Sequence, residues 1–149
     1  MTAPEDTAQM IADNWTERIR LSLLNDDITL FEARMALPCD IETFDGQKHL
    51  TTSEDREDFF QAVCAYHKKS GVSEIDRHVL EAVFNDTEKI TLACETRLLN
   101  GTALLQDPYP VFSILKLTDG CWKVVKMTFA ITDRNDHNAA LLSAGKQRN

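Results

Sequence analysis

Apolar residues recur at three- and four-residue steps in two stretches of the first half of the chain. The first stretch covers residues 4–25 and includes Trp15, and the second covers residues 52–71. This spacing places the apolar side chains on one face of a helix. In the second stretch Thr52 supplies a hydroxyl cap at the start, and Gly71 stands where a helix commonly ends. The pattern therefore predicts two amphipathic helices.

The segment between these helices has a weaker pattern. Residues 28–37 fit neither the helical nor the strand period cleanly, and Pro38 restrains the residue before it to extended geometry. We therefore predict a strand that turns at Pro38. Residues 39–44 and 48–50 alternate polar and apolar positions on either side of the Asp-Gly pair at 45–46, which is a strong turn signal. This part of the chain is predicted to form a hairpin.

The second half of the chain has the composition of a sheet. Four stretches rich in Val, Ile and Phe are separated by Asn/Asp turn signals; they cover residues 73–85, 88–99, 111–117 and 121–132. A polar tail follows, with a short helix predicted over residues 139–143. Helices first and strands afterwards indicate an α+β fold, in which a curved antiparallel sheet is wrapped on the N-terminal helices.

Length and charge narrow the class of protein. A chain of 149 residues fits one domain over residues 1–149, and a net charge of −8 disfavours nucleic acid and anionic membranes as partners. No apolar run is long enough for a membrane span, and the first residues contain neither a basic region nor an apolar run. We therefore expect a cytoplasmic protein with no nucleic-acid or membrane partner.

The cysteines and histidines give no metal or disulfide pattern. The four cysteines are Cys39, Cys64, Cys94 and Cys121, and each has apolar neighbours. They lie far apart in the sequence, with no Cys-x-x-Cys pair, and the four histidines lack the spacing of a metal-binding helix. Phosphate-binding glycine loops are also missing from the sequence. We expect reduced, buried cysteines, no metal and no cofactor.

The order of elements resembles a known family. A long helix, a Leu-Pro segment, an Asp-Gly hairpin and a capped helix ending in Gly71 precede long strands, the last opening with Asp-Gly-Cys-Trp-Lys-Val at 119–124. The pattern resembles the SnoaL-like branch of the nuclear transport factor 2-like superfamily over residues 5–133. That resemblance implies a cystatin-like α+β cone with an apolar pocket, and a homodimer formed through the outer face of the sheet. Members include ketosteroid isomerases, polyketide cyclases, dehydratases and proteins without chemistry, so the fold alone does not give the function.

Three residues are candidates for chemistry in such a pocket. Asp40 stands near the position of the general base in the isomerases that the chain resembles, although an Asp after Pro also stabilises turns. Alternation along its strand predicts that His78 faces the interior with Leu80 and Phe84, as a proton shuttle or as a structural residue. Tyr109, between two prolines, is predicted at the mouth of the cone, as an orienting donor or as part of a rigid loop.

Aromatic residues are predicted to line the pocket. They are Trp15, Phe59, Phe60 and Phe84. Were these side chains to fill the cavity, neither a ligand nor a reaction would have room. The helical Tyr of the isomerases has no counterpart in this chain, which has Trp15 on its first helix.

Three hypotheses for the function remain. The first is a protein that binds a small hydrophobic molecule without chemistry. The second is a cofactor-free isomerase, cyclase or dehydratase with Asp40 as the base, assisted by His78 or Tyr109. The third is a dimeric protein-interaction module. Convergence of the three candidate residues on one cavity would favour the second hypothesis.

Overall fold

A computed structural model describes residues 6–142 of the chain. Its helices are α1 (Ala8–Leu24), α2 (Ile28–Glu32), α3 (Ser53–Ser70) and α4 (Asn135–Leu141). Its strands are β1 (Met35–Thr43), β2 (Gly46–Leu50), β3 (Glu74–Asp86), β4 (Lys89–Asn100), β5 (Ala103–Leu104), β6 (Tyr109–Thr118) and β7 (Cys121–Phe129). The start predicted for the first helix and the end predicted for the last lie outside the described residues. No helix within residues 6–142 combines the length and apolar character that crossing a membrane requires.

All the strands belong to one sheet, with the order β2-β1-β7-β6-β4-β3 and with β5 beside β4. Neighbouring strands are antiparallel except for β1 and β7, which run parallel. The predicted α+β class is confirmed, and the expectation of a wholly antiparallel sheet is corrected to a mixed one. The parallel pair joins strands that are distant in the sequence, so no local turn signal could predict it.

One predicted strand is a short helix instead. Over residues 28–37 the chain forms the five-residue helix α2 and then enters β1 at Met35. Asp27 starts this helix, because its side chain accepts a hydrogen bond from the backbone N–H of Leu30 at 3.2 Å. This one turn of helix buries Phe31. Five residues are too few for a hydrophobic period to predict a helix here.

The core lies between the helices and one face of the sheet. On β4 every second side chain from Ile90 to Leu98 is buried, whereas the intervening positions are more exposed. Helix α1 packs its buried stripe, which includes Trp15 and Ile19, against the sheet. The face of β4 that carries Ile90 and Leu98 is therefore the inner face. A residue on a neighbouring strand lies on the same face of the sheet as the β4 residue with which it pairs.

A β-bulge in β3 changes which residues of that strand face the interior. Val79 pairs with Cys94 and Glu81 pairs with Ala93, so Leu80 is an extra residue without a partner. Before the bulge, Arg77 lies opposite the buried Thr96 and so shares its inner face. After it, the alternation is reversed, and Phe84 lies on the inner face opposite Ile90.

The N-terminus of α3 has the hydroxyl cap that its sequence predicts, and this cap is part of a capping box. The Thr52 hydroxyl accepts a hydrogen bond from the backbone N–H of Asp55 at 3.0 Å. The Asp55 carboxylate accepts hydrogen bonds from the backbone N–H groups of Thr51 and Thr52 at 3.0 and 3.2 Å. These backbone hydrogen bonds lower the pKa of Asp55. The cap satisfies backbone donors that otherwise have no partner in the helix.

We expect Thr52→Ala to lower the free energy of unfolding by about 1 kcal/mol, the ordinary cost of removing a hydroxyl cap. Urea unfolding followed by circular dichroism measures this change. The matched control is Ser53→Ala one residue later, where the exposed side chain is not the cap. Equal stabilities of the two variants would contradict the role assigned to Thr52.

Candidate functional site

The three residues proposed for chemistry do not meet in one cavity. Asp40 lies between the buried Cys39 and Ile41 on β1, so its side chain is on the outer face, where it forms an ion pair with His49. His78 lies opposite Glu95 on the outer face of β3 and is exposed. Only Tyr109, the first residue of β6, is buried in the interior. The expectation that His78 faces the interior is corrected, because the bulge reverses the alternation on which it rested.

The four aromatic residues predicted to line the pocket are also separated. Phe59 does line the interior cavity described below. Phe60 packs within the core against Phe31, with ring centroids 4.9 Å apart. Trp15 donates its Nε1–H to the carbonyl of Arg34 at 3.0 Å, and it lines a surface depression of about 310 Å³. Phe84 is 41% exposed near the end of its strand and touches the Trp122 ring.

A different set of polar residues surrounds a cavity between the helices and the sheet. They are His67 on α3, Arg77 on β3, Tyr109 on β6 and His137 on α4. The remaining wall is apolar and comes from α1, α2, α3, β7 and α4. The cavity volume is about 20 Å³, which is enough for about one water molecule. This cluster, His67, Arg77, Tyr109 and His137, is the candidate site, and we call it the interior polar cluster.

The two histidines of the cluster are neutral. Burial and the positive charge of Arg77 lower the pKa of His67 to about 4. Burial, followed by the nearby His67, lowers the pKa of His137 to about 3. The amide nitrogen of Gln106 lies 3.1 Å from His137 Nδ1. Because an amide nitrogen donates, Nδ1 accepts, and this assignment places the ring proton on Nε2.

Aromatic contacts hold His137 in place. Its ring stacks on Tyr66 with centroids 4.2 Å apart, and it meets the edge of Tyr109 at 5.3 Å. The Tyr66 hydroxyl in turn donates to the Gln106 side-chain oxygen at 3.0 Å. Burial raises the pKa of Tyr109 to about 12, so its hydroxyl keeps its proton and remains a donor. The cluster therefore offers neutral donors and acceptors around one permanent cation.

Arg77 has no acidic partner in the cavity. No Asp or Glu lines the cavity, and no salt bridge within residues 6–142 involves Arg77. Its Nε atom is buried without a hydrogen-bond partner, and so is Nδ1 of His67. Buried polar groups are nearly always hydrogen-bonded, so two such atoms on the wall of one cavity are unusual. They are free to bind a polar group placed in the cavity.

Helix α4 covers one side of the interior polar cluster. His137 and Leu141 from this helix line the cavity. A surface depression of about 190 Å³ lies beside it, lined by residues of the loop before β6 and of the segment between β7 and α4. Tyr109 lines both spaces. Tyr109 therefore separates the interior cavity from this surface depression.

The arrangement suits binding and also proton transfer. A neutral imidazole is a general base at neutral pH, and a guanidinium stabilises an oxyanion that forms beside it. Cys39 and Cys64 are poor nucleophiles, because burial raises the pKa values of their thiols to about 12. Within residues 6–142, His, Cys, Asp and Glu form no group of three that suits a metal ion.

Solved structures of similar shape define the class of fold. The chain has the nuclear transport factor 2-like, cystatin-like α+β fold. A cystatin-like protein of unknown function from Nostoc punctiforme matches with a TM-score of 0.68 and 15% identity, over 89% of this chain and 83% of that one. No protein-family model and no curated protein sequence matches the chain.

Two further structures show the range of proteins with this shape. A nuclear transport factor 2-like protein of unknown function from Shewanella oneidensis has a TM-score of 0.60 at 7% identity, over 80% of this chain and 95% of that one. A proposed ketosteroid isomerase from Shewanella frigidimarina has a TM-score of 0.58 at 16% identity, over 83% and 95%. At these identities the likeness shows the fold and leaves the activity to be argued from the site.

Proposed function

We propose that the protein binds a small, largely apolar molecule in the interior of the cone, against the interior polar cluster. The observation that carries this proposal is the wall of the cavity, where apolar side chains surround a few convergent polar groups, two of them with unpartnered buried atoms. That combination is typical of small-molecule sites, in which apolar surface gives affinity and polar groups give orientation. The SnoaL-like resemblance supports the same proposal.

Binding requires the cavity to open, since about 20 Å³ holds only a water molecule. Helix α4 is the part of the wall that moves in this proposal. It has seven residues, and its N-cap residue Arg134 makes no capping hydrogen bond through its side chain. A helix of this length depends on its packing, so α4 is held chiefly by Leu141, by the His137 ring and by the Asn138 amide, which donates to Asp45 and Ile131.

Native mass spectrometry of the gently purified protein tests the proposal. We expect a noncovalent small molecule on the wild-type chain that is lost on denaturation. Val63→Phe, which adds volume at the cavity wall, is expected to lower the bound fraction, whereas Phe44→Ala on the exposed surface leaves it unchanged. A wild-type protein that carries no added mass would contradict the proposal and favour an interaction module.

Proton transfer within the same cavity is a second candidate function. The observation that favours it is that the neutral imidazoles of His67 and His137 border the same cavity as the Arg77 guanidinium. An imidazole can remove a proton next to a carbonyl group while Arg77 stabilises the enolate oxygen. We expect deuterium uptake by cyclohexanone in D₂O to be faster with the protein than with Arg77→Met. Uptake no faster than in buffer would contradict this candidate.

We also propose that the outer face of the sheet forms a homodimer. Val83 on β3 and Ile114 on β6 both pair with Thr91, and Phe112 pairs with Ala93, so these apolar side chains share the outer face. Phe112 is 46% exposed. Contiguous apolar surface of this kind is typical of an interface between subunits.

We expect Phe112→Asp to convert the dimer to a monomer, because a second copy would have to bury an unpaired carboxylate. Size-exclusion chromatography with light scattering gives the mass in solution. Phe44→Asp is the matched control, since Phe44 is exposed at the end of β1, away from the patch. A wild-type monomer, or a Phe112→Asp dimer, would contradict the proposed interface.

A further inference from the structure

The guanidinium of Arg77 indicates the chemical class of ligand that fits the interior cavity. The bulge at Leu80 places this guanidinium on the inner face of the sheet, and Arg77 lines the cavity. Three arginines of the described chain have carboxylate partners: Arg20 pairs with Glu74 at 2.8 Å, Arg56 with Glu32 at 3.2 Å and Arg97 with Glu95 at 2.7 Å. Arg18, Arg34 and Arg134 form no salt bridge within residues 6–142, but none of them lines the cavity. Arg77 has no such pair in residues 6–142. The Arg77 side chain is half-buried with its Nε atom fully buried, and a charge in such surroundings without a counter-charge is costly and is normally compensated.

A second, independent residue with an unpartnered polar atom lines the same cavity. His67 is 7% exposed and lines the cavity, and its Nδ1 atom is buried without a hydrogen-bond partner. The cavity wall thus presents a permanent cation and an unpartnered imidazole nitrogen, with the Tyr109 ring beside them and no carboxylate. A neutral apolar molecule would leave both polar atoms unpaired, and an ammonium group would face a like charge. An acceptor group pairs with the Arg77 Nε–H, and it pairs with His67 as well when Nδ1 carries the proton of that ring. An anionic acceptor also supplies the counter-charge, so it is the group that suits this wall best.

We propose that the ligand of the interior cavity carries a carboxylate or a comparable oxyanion, which pairs with the guanidinium of Arg77 and lies within reach of His67. This inference rests on the proposed binding function and adds the chemical class of the ligand. The anionic group supplies the counter-charge that residues 6–142 do not place in the cavity, while the apolar wall receives the rest of the molecule. Arg is suited to this role, because its planar fork can form two parallel hydrogen bonds with one carboxylate.

Matched pairs of acids and amides test the class of ligand. Benzoate and benzamide have nearly the same shape and differ in charge, and acetate and acetamide form a smaller pair. Isothermal titration calorimetry on the full-length protein gives each dissociation constant. We expect at least one acid to bind about 10-fold or more tightly than its amide, the scale of one charge-assisted hydrogen-bonded pair.

Variants at Arg77 attribute this preference to its side chain. Arg77→Met is expected to abolish the preference by weakening the acid while leaving the amide unchanged, and Arg77→Lys is expected to retain part of it. Replacing an unpaired charge by an apolar side chain of similar length need not harm folding. If Arg77→Met fails to fold, Arg77→Lys tests the role of the charge instead. Arg97→Met is the matched control, because Arg97 pairs with Glu95 at 2.7 Å on the outer face.

The outcomes separate the inference from the proposed function. Equal binding of acid and amide, or a preference that survives in Arg77→Met, would overturn the anionic ligand and leave the binding function standing. Failure of all four probes to bind would overturn both. Loss of the preference in Arg97→Met as well would show that surface charge, rather than Arg77, attracts the acid, and would also overturn the inference.

Discussion

At pH 5 the two buried histidines of the interior polar cluster are expected to make the folded protein about 4 kcal/mol less stable than at pH 8. In the folded chain the pKa values of His67 and His137 are lowered to about 4 and about 3, from an ordinary value of 6.5. Below pH 6.5 the unfolded chain therefore takes up protons that the folded chain does not. Stability is lost as the pH falls from 6.5 toward these lowered values, at about 1.4 kcal/mol per pH unit for each group. Above pH 6.5 both states are neutral and these groups contribute nothing to the slope.

Urea unfolding at pH 8 and pH 5 measures this loss. The double variant His67→Gln, His137→Gln is expected to remove most of it, because neither side chain then titrates. His78→Gln is the matched control, as His78 is exposed on the outer face. The Asp55 cap does not interfere, since its carboxyl group titrates below its ordinary value of 3.8. An equal pH dependence in the wild type and the double variant would contradict the assignment of the two histidines to a dry interior.

Phe60→Ala is expected to lower the free energy of unfolding by about 3–5 kcal/mol. Phe60 is 2% exposed on α3, and its ring packs against Phe31 on α2. Its removal deletes buried apolar surface and leaves a cavity where three helices and the sheet meet, which cannot collapse freely. Chemical unfolding at pH 8, where the histidines do not contribute, measures this loss.

Phe44→Ala provides the comparison for Phe60. The ring of Phe44 is 65% exposed, so its loss is expected to change the stability by less than about 0.5 kcal/mol. A small effect of Phe60→Ala, close to that of Phe44→Ala, would contradict the packing of α3 against α2. That packing forms part of the wall of the interior cavity, through Phe31 and Phe59.

The elements with complete local signals could be predicted from the sequence. Helix α3 has a hydroxyl cap, an apolar stripe and a terminal glycine, and it extends over Ser53–Ser70 as predicted. Strand β4 has a regular alternation and a turn signal at its end, and it covers Lys89–Asn100. In both, short-range physical chemistry and tertiary packing favour the same structure. In α2 only tertiary packing indicates the helix, because one turn is too short for a hydrophobic period to be recognised in the sequence.

The candidate site could be predicted only in part. Tyr109 is among the residues that the sequence indicates, and the helix predicted over residues 52–71 carries His67, which is buried. Strict alternation of side chains along the whole of β3 places Arg77 on the outer face, so the sequence does not indicate it as a site residue. One unpaired residue, Leu80, which is 58% exposed, reverses the faces of the strand. Nothing in the local sequence marks this bulge.

His137 was missed for another reason. The sequence predicts a polar tail here, with a short helix over residues 139–143, whereas the helix covers Asn135–Leu141 and so includes His137. The His137 ring packs against Tyr66 and Tyr109. These contacts join residues that are distant in the sequence, so no local pattern encodes them.

The histidine signals of the protein in long-range ¹H–¹⁵N NMR spectra show directly whether a ligand binds in the interior of the cone. The chain has four histidines; His67 and His137 line the interior cavity, while His49 and His78 are exposed on the outside. We expect benzoate to shift the ring-nitrogen signals of His67 and His137 and to leave those of His49 and His78 unchanged. Shifts confined to the two outer histidines, or no shift in any of the four, would contradict a ligand site in the interior of the cone.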